Sequence, residues 1–182
     1  MGWTHPRCRS KWSMEGLIAI YEYQEPVARA VVDGVKYGFN RELIKIVLKD
    51  FSFQTGEKFD FLVPVPLHFY RENWRGFNQA ELLARVIGAK LLVPCARILK
   101  RVRNTKQQVT MKTKEEREAN IKGAFKINEK FKNFLQRRTG KTQKLKILLV
   151  DDVFTSGADM RECTQVLKKA GVKMVWGLAL AH

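Results

Sequence analysis

The sequence predicts an α/β fold whose mainly parallel, twisted sheet carries helices on its faces. A continuous apolar run over 147–150 is typical of a buried parallel strand, and a second strand is predicted over 173–181. Between them lies an apolar stripe at helical spacing that Gly171 ends, made of Met160, Cys163, Val166, Leu167 and Ala170. Strand, helix and strand in this order form the crossover unit of parallel sheets.

The sequence patterns before this unit predict their elements less clearly, but they are consistent with the same fold class. Apolar residues recur at helical spacing over 26–51 and predict two amphipathic helices, with a break at 38–40. A short buried strand is predicted over 59–65, where prolines take the chain out of the sheet. A polar loop is expected over 67–77. Asn78 then has the residue type that caps a helix, which we expect to run to about Leu91.

The basic charge is concentrated in the middle of the chain. The net charge is +16, and residues 97–146 hold 17 of the 34 lysines and arginines but only four glutamates. Within this section we expect a solvated helix or mobile loop over 112–119, a short strand over 125–127 and partly mobile chain over 130–146. Such charge predicts an anionic partner: a nucleic acid, an acidic lipid or a phosphorylated small molecule.

Several classes of protein are disfavoured. With 182 residues, 45% of them hydrophobic, the chain predicts one globular domain. Its apolar runs are shorter than the roughly 18 residues that span a bilayer, and a cytoplasmic location is expected. Three scattered cysteines argue against a disulfide framework, and His5 and Cys8 form only half of a zinc site. The turn 140–142 lacks the first glycine of a phosphate-binding P-loop.

The chemistry is concentrated at the end of the 147–150 strand. Asp151 and Asp152 follow this strand at the edge where ligands bind in open α/β sheets. A turn of Thr155, Ser156 and Gly157 then opens a helix. Its amides and hydroxyls form a concave set of phosphate donors, and a glycine allows close approach. The two carboxylates can accept hydrogen bonds from vicinal hydroxyls or face a metal-bound water.

Residues 150–159 closely resemble the phosphoribosyl pyrophosphate loop of type I phosphoribosyltransferases. Further segments narrow the resemblance: Pro-Val-Pro-Leu-His at 64–68, the run at 75–84, Arg-Val-Arg-Asn-Thr at 101–105 with Gln108, and the run at 117–125. In this order they resemble the signature of the ComF family. Proteins of that family resemble amidophosphoribosyltransferases, are associated with natural competence and usually carry an N-terminal zinc ribbon.

The resemblance implies a type I phosphoribosyltransferase fold with a basic lid or hood, over residues 17–182. It implies that residues 1–16 are a remnant or truncated N-terminal segment without the ribbon. The site it implies has four parts: acids that hold the ribose hydroxyls and act in catalysis (Asp151, Asp152), a turn for the 5′-phosphate (Thr155, Ser156, Gly157, Ala158), a pyrophosphate loop (His68, Arg71, Arg75), and a mobile lid or basic patch (Arg101, Arg103, Lys106, Gln108).

The implied reaction transfers ribose 5-phosphate from phosphoribosyl pyrophosphate to an acceptor, with Mg²⁺ held through the ligand and not by protein ligands alone. Asp159 departs from the pattern, because these loops usually have a threonine there. Two alternatives stay open. One is a module that binds single-stranded DNA through residues 97–146 and keeps a non-catalytic phosphoribosyl site. The other is a regulator of nucleotide metabolism. Proteins of the competence machinery are the expected protein partners.

Overall fold

The main sheet has five strands. A computed structural model describes residues 2–3, 10, 12–22, 30, 33–34, 42–49, 56–105, 113–137 and 145–182. The strands lie side by side in the order β1 (Gly2–Trp3), β2 (Gly16–Tyr21), β7 (Met174–Ala181), β6 (Lys146–Val153) and β3 (Phe61–Pro64). Strand β1 is antiparallel to β2, and every other neighbouring pair is parallel. This arrangement confirms the predicted parallel sheet.

Helices and a small ribbon surround the sheet. Six helices have bounds within the described residues: α1 (Glu42–Val47), α2 (Phe69–Arg75), α3 (Gln79–Leu91), α4 (Lys114–Ile121), α5 (Glu129–Arg137) and α6 (Ala158–Lys169). Strands β4 (Leu99–Arg101) and β5 (Phe125–Ile127) pair antiparallel as a separate ribbon. We call residues 97–137, which contain this ribbon with α4 and α5, the hood.

The core has one layer on each face of the sheet, because side chains alternate along the strands. Leu148 and Val150 of β6 face the layer formed with α1 and α3. Ile147 and Leu149 face the opposite layer, which contains α6 and the apolar side chains of the hood. All four are fully buried. Burial on both faces explains why β6 is a continuous apolar run.

The structure confirms the predicted helix after Asn78. The Asn78 Oδ1 atom accepts a hydrogen bond from the Ala80 amide at 3.0 Å, which caps α3. The Asn78 Nδ2 atom donates to the Val65 carbonyl at 3.0 Å. Because Asn78 is buried, the second bond also satisfies a carbonyl just beyond β3. The cap therefore joins the start of α3 to the end of β3.

The prediction of a polar loop over 67–77 is wrong, since α2 occupies residues 69–75. None of the residues of α2 is buried, so it has no apolar stripe from which a helix could be predicted. It ends at Gly76, whose φ of 72° is in the left-handed region. The helix lies directly after β3 and carries Arg71 and Arg75.

The sequence indicated no helix or strand for residues 130–146, but in the structure α5 extends to Arg137. Two aromatic side chains three residues apart account for its docking. The rings of Phe131 and Phe134 meet the Phe61 ring edge to face, with centroids 5.8 and 6.2 Å apart. Of the two alternatives for 112–119 the structure has a helix, α4, capped by Thr113 and Glu116. Residues 138–144 lie outside the described residues.

The other predictions meet the structure in part. Helix α1 lies within the second helix predicted over 26–51, and most of the first lies outside the described residues. His5 and Cys8 also lie outside them. The boundary between residues 16 and 17 and the cytoplasmic location stay predictions. Across the described ranges, we find no helix with the length and apolar character that crossing a membrane requires.

Candidate functional site

The two predicted acids lie at the carboxyl end of β6, beside the end of β3. Asp151 and Asp152 are half-buried. The Asp152 amide donates to Asp151 Oδ1 at 2.9 Å, and the Val153 amide donates to Asp152 Oδ1 at 2.9 Å. Each carboxylate is thus oriented by the amide of the next residue. Because β3 and β6 are parallel neighbours, the segment after β3 emerges at the same edge.

The turn after β6 has the form of an anion site at a helix start. The Ser156 Oγ atom accepts from the Ala158 amide at 3.4 Å, and α6 begins at Ala158. Thr155 is exposed, Ser156 is half-buried, and Gly157 and Ala158 are buried. Amides at the first turn of a helix lack carbonyl partners within the helix and carry its positive field. The predicted phosphate turn therefore has suitable donors.

Only a glycine fits at the centre of this turn. Gly157 has a φ of 68°, in the left-handed region. A Cβ atom there would lie 2.3 Å from Cζ of Phe154. The Phe154 ring is itself held, because it stacks on the His182 ring with centroids 5.4 Å apart. Backbone conformation and space both require Gly157.

The predicted pyrophosphate loop contributes two arginines from α2. Arg71 Nη2 donates to the Thr105 carbonyl at 2.6 Å, which joins α2 to the hood. Burial lowers the pKa of Arg71, and the charges of Arg101 and Arg75 lower it further. His68 caps the start of α2 without a hydrogen bond from its side chain to the helix. The structure thus brings Arg71, Arg75 and the hood together.

Arg101 occupies a different environment from the mobile lid or surface patch expected for it. Its side chain is only 5% exposed, and Nη1 lies 3.2 Å from Oδ1 of Asp159, whose side chain is 19% exposed. Nη2 donates to Thr105 Oγ1, and the guanidinium lies 5.1 Å from the centre of the Phe125 ring. Arg101 therefore joins the hood ribbon to the first turn of α6.

The remaining hood residues do not join this cluster. Arg103 is exposed, and its Nη1 atom donates to the Lys122 carbonyl. Lys106 and Gln108 lie outside the described residues. The structure thus brings together Arg101 and the residues predicted after β3 and β6, and it leaves Arg103 on the hood surface.

Three nitrogen atoms of the cluster are buried without a hydrogen-bond partner in the described part of the chain. They are His68 Nδ1, Arg75 Nε and Arg101 Nε. Buried polar atoms are nearly always satisfied in proteins, by protein, by water or by a ligand. A ligand with several anionic oxygens would supply the missing acceptors for the two arginines. The cluster has the donors of an anion site.

Two residues that the sequence analysis assigned no role hold this cluster in place. Thr105 is buried and accepts from Arg71 with its carbonyl and from Arg101 with its hydroxyl. The Phe125 ring supports the Arg101 guanidinium from the paired strand. Thr105 belongs to the Arg-Val-Arg-Asn-Thr run, which was the available signal for its importance. Phe125 is the last residue of the run at 117–125, which was the corresponding signal for it.

Comparison with known proteins supports a family assignment. A segment of 123 residues, 66% of the chain, is 38% identical to competence protein F of Haemophilus influenzae and covers 50% of that protein. The chain is 27% identical over 157 residues to competence protein ComFC of Bacillus subtilis. This match covers 84% of the chain and 58% of that protein. The names of these relatives support a ComF family assignment for the chain. No family model matches it.

A third relative extends the match over nearly the whole chain. It is DNA utilization protein YhgH of Salmonella typhimurium, which is 29% identical in a match that covers 93% of this chain and 73% of that protein. The chain thus spans about half the length of competence protein F and 58% of ComFC.

Proposed function

We propose that this protein binds a phosphorylated ribose, phosphoribosyl pyrophosphate above all, in a type I phosphoribosyltransferase fold. The observation that carries the proposal is the edge where β3 and β6 end. There the acid pair Asp151 and Asp152 stands directly before the Gly157 turn, and arginines of α2 and the hood face the first turn of α6. Acids for hydroxyls beside cations for phosphates fit a sugar phosphate.

Each part of the site has a role in this proposal. Asp151 and Asp152 accept hydrogen bonds from the vicinal ribose hydroxyls. The amides and hydroxyls of residues 155–158 hold the 5′-phosphate at the start of α6. Arg71 and Arg75, next to His68, hold the pyrophosphate. Arg71 retains its charge although its pKa is lowered, because an arginine guanidinium is not deprotonated in proteins.

The residues present also fit Mg²⁺ that arrives with its ligand. The described side chains include no cluster of three or more His, Cys, Asp or Glu positioned for a metal ion. Mg²⁺ commonly takes one or two protein carboxylates and completes its shell with phosphate oxygens and water. Asp151 and Asp152 offer such carboxylates. When bound, the ion would neutralise charge on the pyrophosphate.

The proposed reaction is a group transfer at C1 of the ribose. The C1–O bond to pyrophosphate breaks, a bond forms from C1 to a nucleophilic atom of the acceptor, and the acceptor loses a proton. Arg71 and Arg75 stabilise the negative charge that collects on the departing pyrophosphate. Asp151 and Asp152 orient the sugar ring so that C1 faces the acceptor.

The names of the relatives connect this site with DNA. Two relatives are called competence proteins and one a DNA utilization protein. We propose that this chain likewise acts when cells take up or use DNA, with proteins of the competence machinery as partners. In this proposal the phosphoribosyl site either catalyses a step of nucleotide metabolism or senses its state.

Titration calorimetry with phosphoribosyl pyrophosphate and Mg²⁺ tests the ligand. We expect the wild type to bind and the double variant Asp151→Asn, Asp152→Asn to lose binding while melting within a few degrees of the wild type. Glu115→Gln, an exposed site on α4, is the control and should bind normally. Absence of binding by the wild type contradicts the proposal. A double variant that melts far below the wild type would make the acids structural.

A second candidate function, binding of single-stranded nucleic acid, is favoured by the outer face of the hood ribbon. Lys100 and Lys126 are both exposed and stand directly opposite each other across β4 and β5. Opposed like charges destabilise a ribbon, so an anionic partner would relieve them. Nearby α2 presents three exposed aromatic side chains suited to base stacking, Phe69, Tyr70 and Trp74.

A further inference from the structure

Asp159 places a negative charge inside the cationic cluster. It lies in the first turn of α6, and its carboxylate pairs with Arg101 of β4 at 3.2 Å. Arg71 of α2 also lies close enough to affect it, and Asp152 of β6 adds an unfavourable like charge. Burial and Asp152 act against the carboxylate form, whereas the two arginines favour it. Residues of β4, α2 and β6 thus act on this side chain of α6.

The carboxylate uses the same features that a phosphate would use. A guanidinium binds a carboxylate and a phosphate through the same charge-assisted hydrogen bonds. The first turn of a helix likewise favours any anion. Arg101 Nη1 already faces Asp159, and its Nη2 is directed to Thr105 Oγ1. A phosphate at this turn therefore has to share or take over a cation that an internal anion holds.

We propose that Asp159 is an internal competitor of the ligand phosphate, which holds Arg101 when the site is empty and gives it up when a phosphorylated ribose binds. This inference rests on the proposed function and names the residue that sets the affinity of the same site. Asp159 is a specificity-determining residue in this scheme, because it selects against ligands that cannot displace it.

The competition has a pH dependence with a defined sign. Burial raises the pKa of Asp159 above its ordinary value, despite the opposing effect of Arg101 and Arg71. Protonation removes the competing charge, so affinity for an anion should rise as the pH falls through that raised pKa. The groups that face Asp159 are Arg101, Arg71 and Asp152.

Calorimetry with ribose 5-phosphate and with unphosphorylated ribose tests the proposal. We expect Asp159→Asn to bind ribose 5-phosphate at least about tenfold more tightly than the wild type at neutral pH, since a like charge is removed from a poorly screened site. Affinity for ribose should not change. Glu162→Gln is the matched control. It removes one charge from the same helix, where Glu162 accepts from the Gly123 amide at 2.8 Å, and should change neither affinity by more than about twofold.

Inorganic sulfate supplies the pH test because it does not titrate between about pH 4 and 8. The wild type should bind sulfate more tightly as the pH falls, until its affinity approaches that of Asp159→Asn. The affinity of Asp159→Asn for sulfate should not change with pH. Should Asp159→Asn fail to fold, Asp159→Thr serves in its place, with melting curves as the check.

The possible failures are distinguishable. If the wild type binds ribose 5-phosphate and Asp159→Asn binds it equally or more weakly, Asp159 does not compete, and the inference is overturned while the proposed function stands. If the wild type, Asp159→Asn and Asp159→Thr all fail to bind ribose 5-phosphate, the proposed function falls and the inference with it.

Discussion

Gly157 is the single residue on which the geometry of the turn most depends. Its left-handed backbone costs a residue with a Cβ atom about 1–2 kcal/mol. The close approach of the Phe154 ring adds to that cost, because the ring would have to leave its stack on His182. A substitution here acts on the fold and the site together.

We therefore predict that Gly157→Ala lowers the free energy of unfolding by about 2 kcal/mol or more. Urea denaturation measures this free energy of unfolding. Gly123→Ala is the matched control, since Gly123 also has a left-handed φ, 70°, but no atom within 4 Å of an added Cβ. Its cost should be only about 1 kcal/mol. Equal losses for the two variants would show that space around residue 157 does not matter.

Asp159 and Glu81 are two acids whose surroundings shift the pKa in opposite directions. Burial raises the pKa of Asp159, and the arginines near it do not compensate fully. Burial also acts to raise the pKa of Glu81, but hydrogen bonds from Arg97 and Arg85 outweigh it and leave this pKa lowered. The contribution of Glu81 to stability should therefore decrease as the pH falls, whereas that of Asp159 should increase.

We predict opposite pH trends for Glu81→Gln and Asp159→Asn. The stability that Glu81 adds is present above its unfolded pKa and is lost as the pH falls through the lowered folded value. The difference in stability between the wild type and Glu81→Gln should therefore shrink as the pH falls. Asp159 contributes stability below its unfolded pKa, and this contribution is lost as the pH rises through the raised folded pKa. The stability of the wild type relative to Asp159→Asn should therefore increase as the pH falls. Thermal melting between about pH 3 and 7 decides, and parallel trends would contradict the assignment.

At the scale of elements, the junction of β3, α2 and α3 positions the cationic side of the site. Helix α2 follows β3 and ends at Gly76, and Asn78 then starts α3 while bonding to Val65. A short helix without buried residues depends on such connections for its position. The placement of Arg71 and Arg75 therefore depends on the two ends of α2.

We predict that Asn78→Ala costs about 2–3 kcal/mol, because it removes a helix cap and also leaves the buried Val65 carbonyl without its donor. Asn78→Asp should lose less, since it keeps the oxygen that caps α3. Thr113→Ala removes an exposed cap of α4 and should cost only about 1 kcal/mol. Urea denaturation of the three variants gives the order, and an Asn78→Ala loss no larger than that of Thr113→Ala contradicts it.

Over the whole molecule, the basic charge of the middle section divides between two environments. Arg101 is buried within the site, whereas Lys100 and Lys126 point away from it on the outer face of the hood ribbon. The strand alternation produces this division, because successive side chains of β4 point to opposite faces. A polyanion on the hood would thus contact Lys100 but not Arg101.

We predict that binding of single-stranded DNA, measured against salt, becomes less salt-dependent in the variant Lys100→Gln, Lys126→Gln. The slope of log K against log salt should flatten by about 1.4 units, at roughly 0.7 for each phosphate that the variant no longer neutralises. Lys58→Gln, Lys173→Gln removes equal charge from exposed residues that precede β3 and β7 and should leave the slope unchanged. No DNA binding at low salt, or an unchanged slope in the hood variant, contradicts a nucleic-acid surface on the ribbon.

The local pattern of the sequence determined the parallel sheet, the helix after Asn78 and the position of the acid pair. The run 147–150 is apolar because both of its faces are buried, and the turn at 155–157 is marked by residue types whose preferences act within a few positions. Interactions of this range are visible in the order of residues. The expected fold class and the segment that carries the chemistry followed from them.

Tertiary structure alone decided the environment of Arg101 and the existence of α2 and α5. Arg101 and Asp159 are 58 positions apart, and their pairing depends on how the hood packs against α6. Helix α5 is held by two phenylalanines on Phe61, and α2 has no buried face that a periodic pattern could indicate. Contacts between distant segments leave no local pattern, and for that reason a basic residue expected on a mobile surface is instead buried beside an acid.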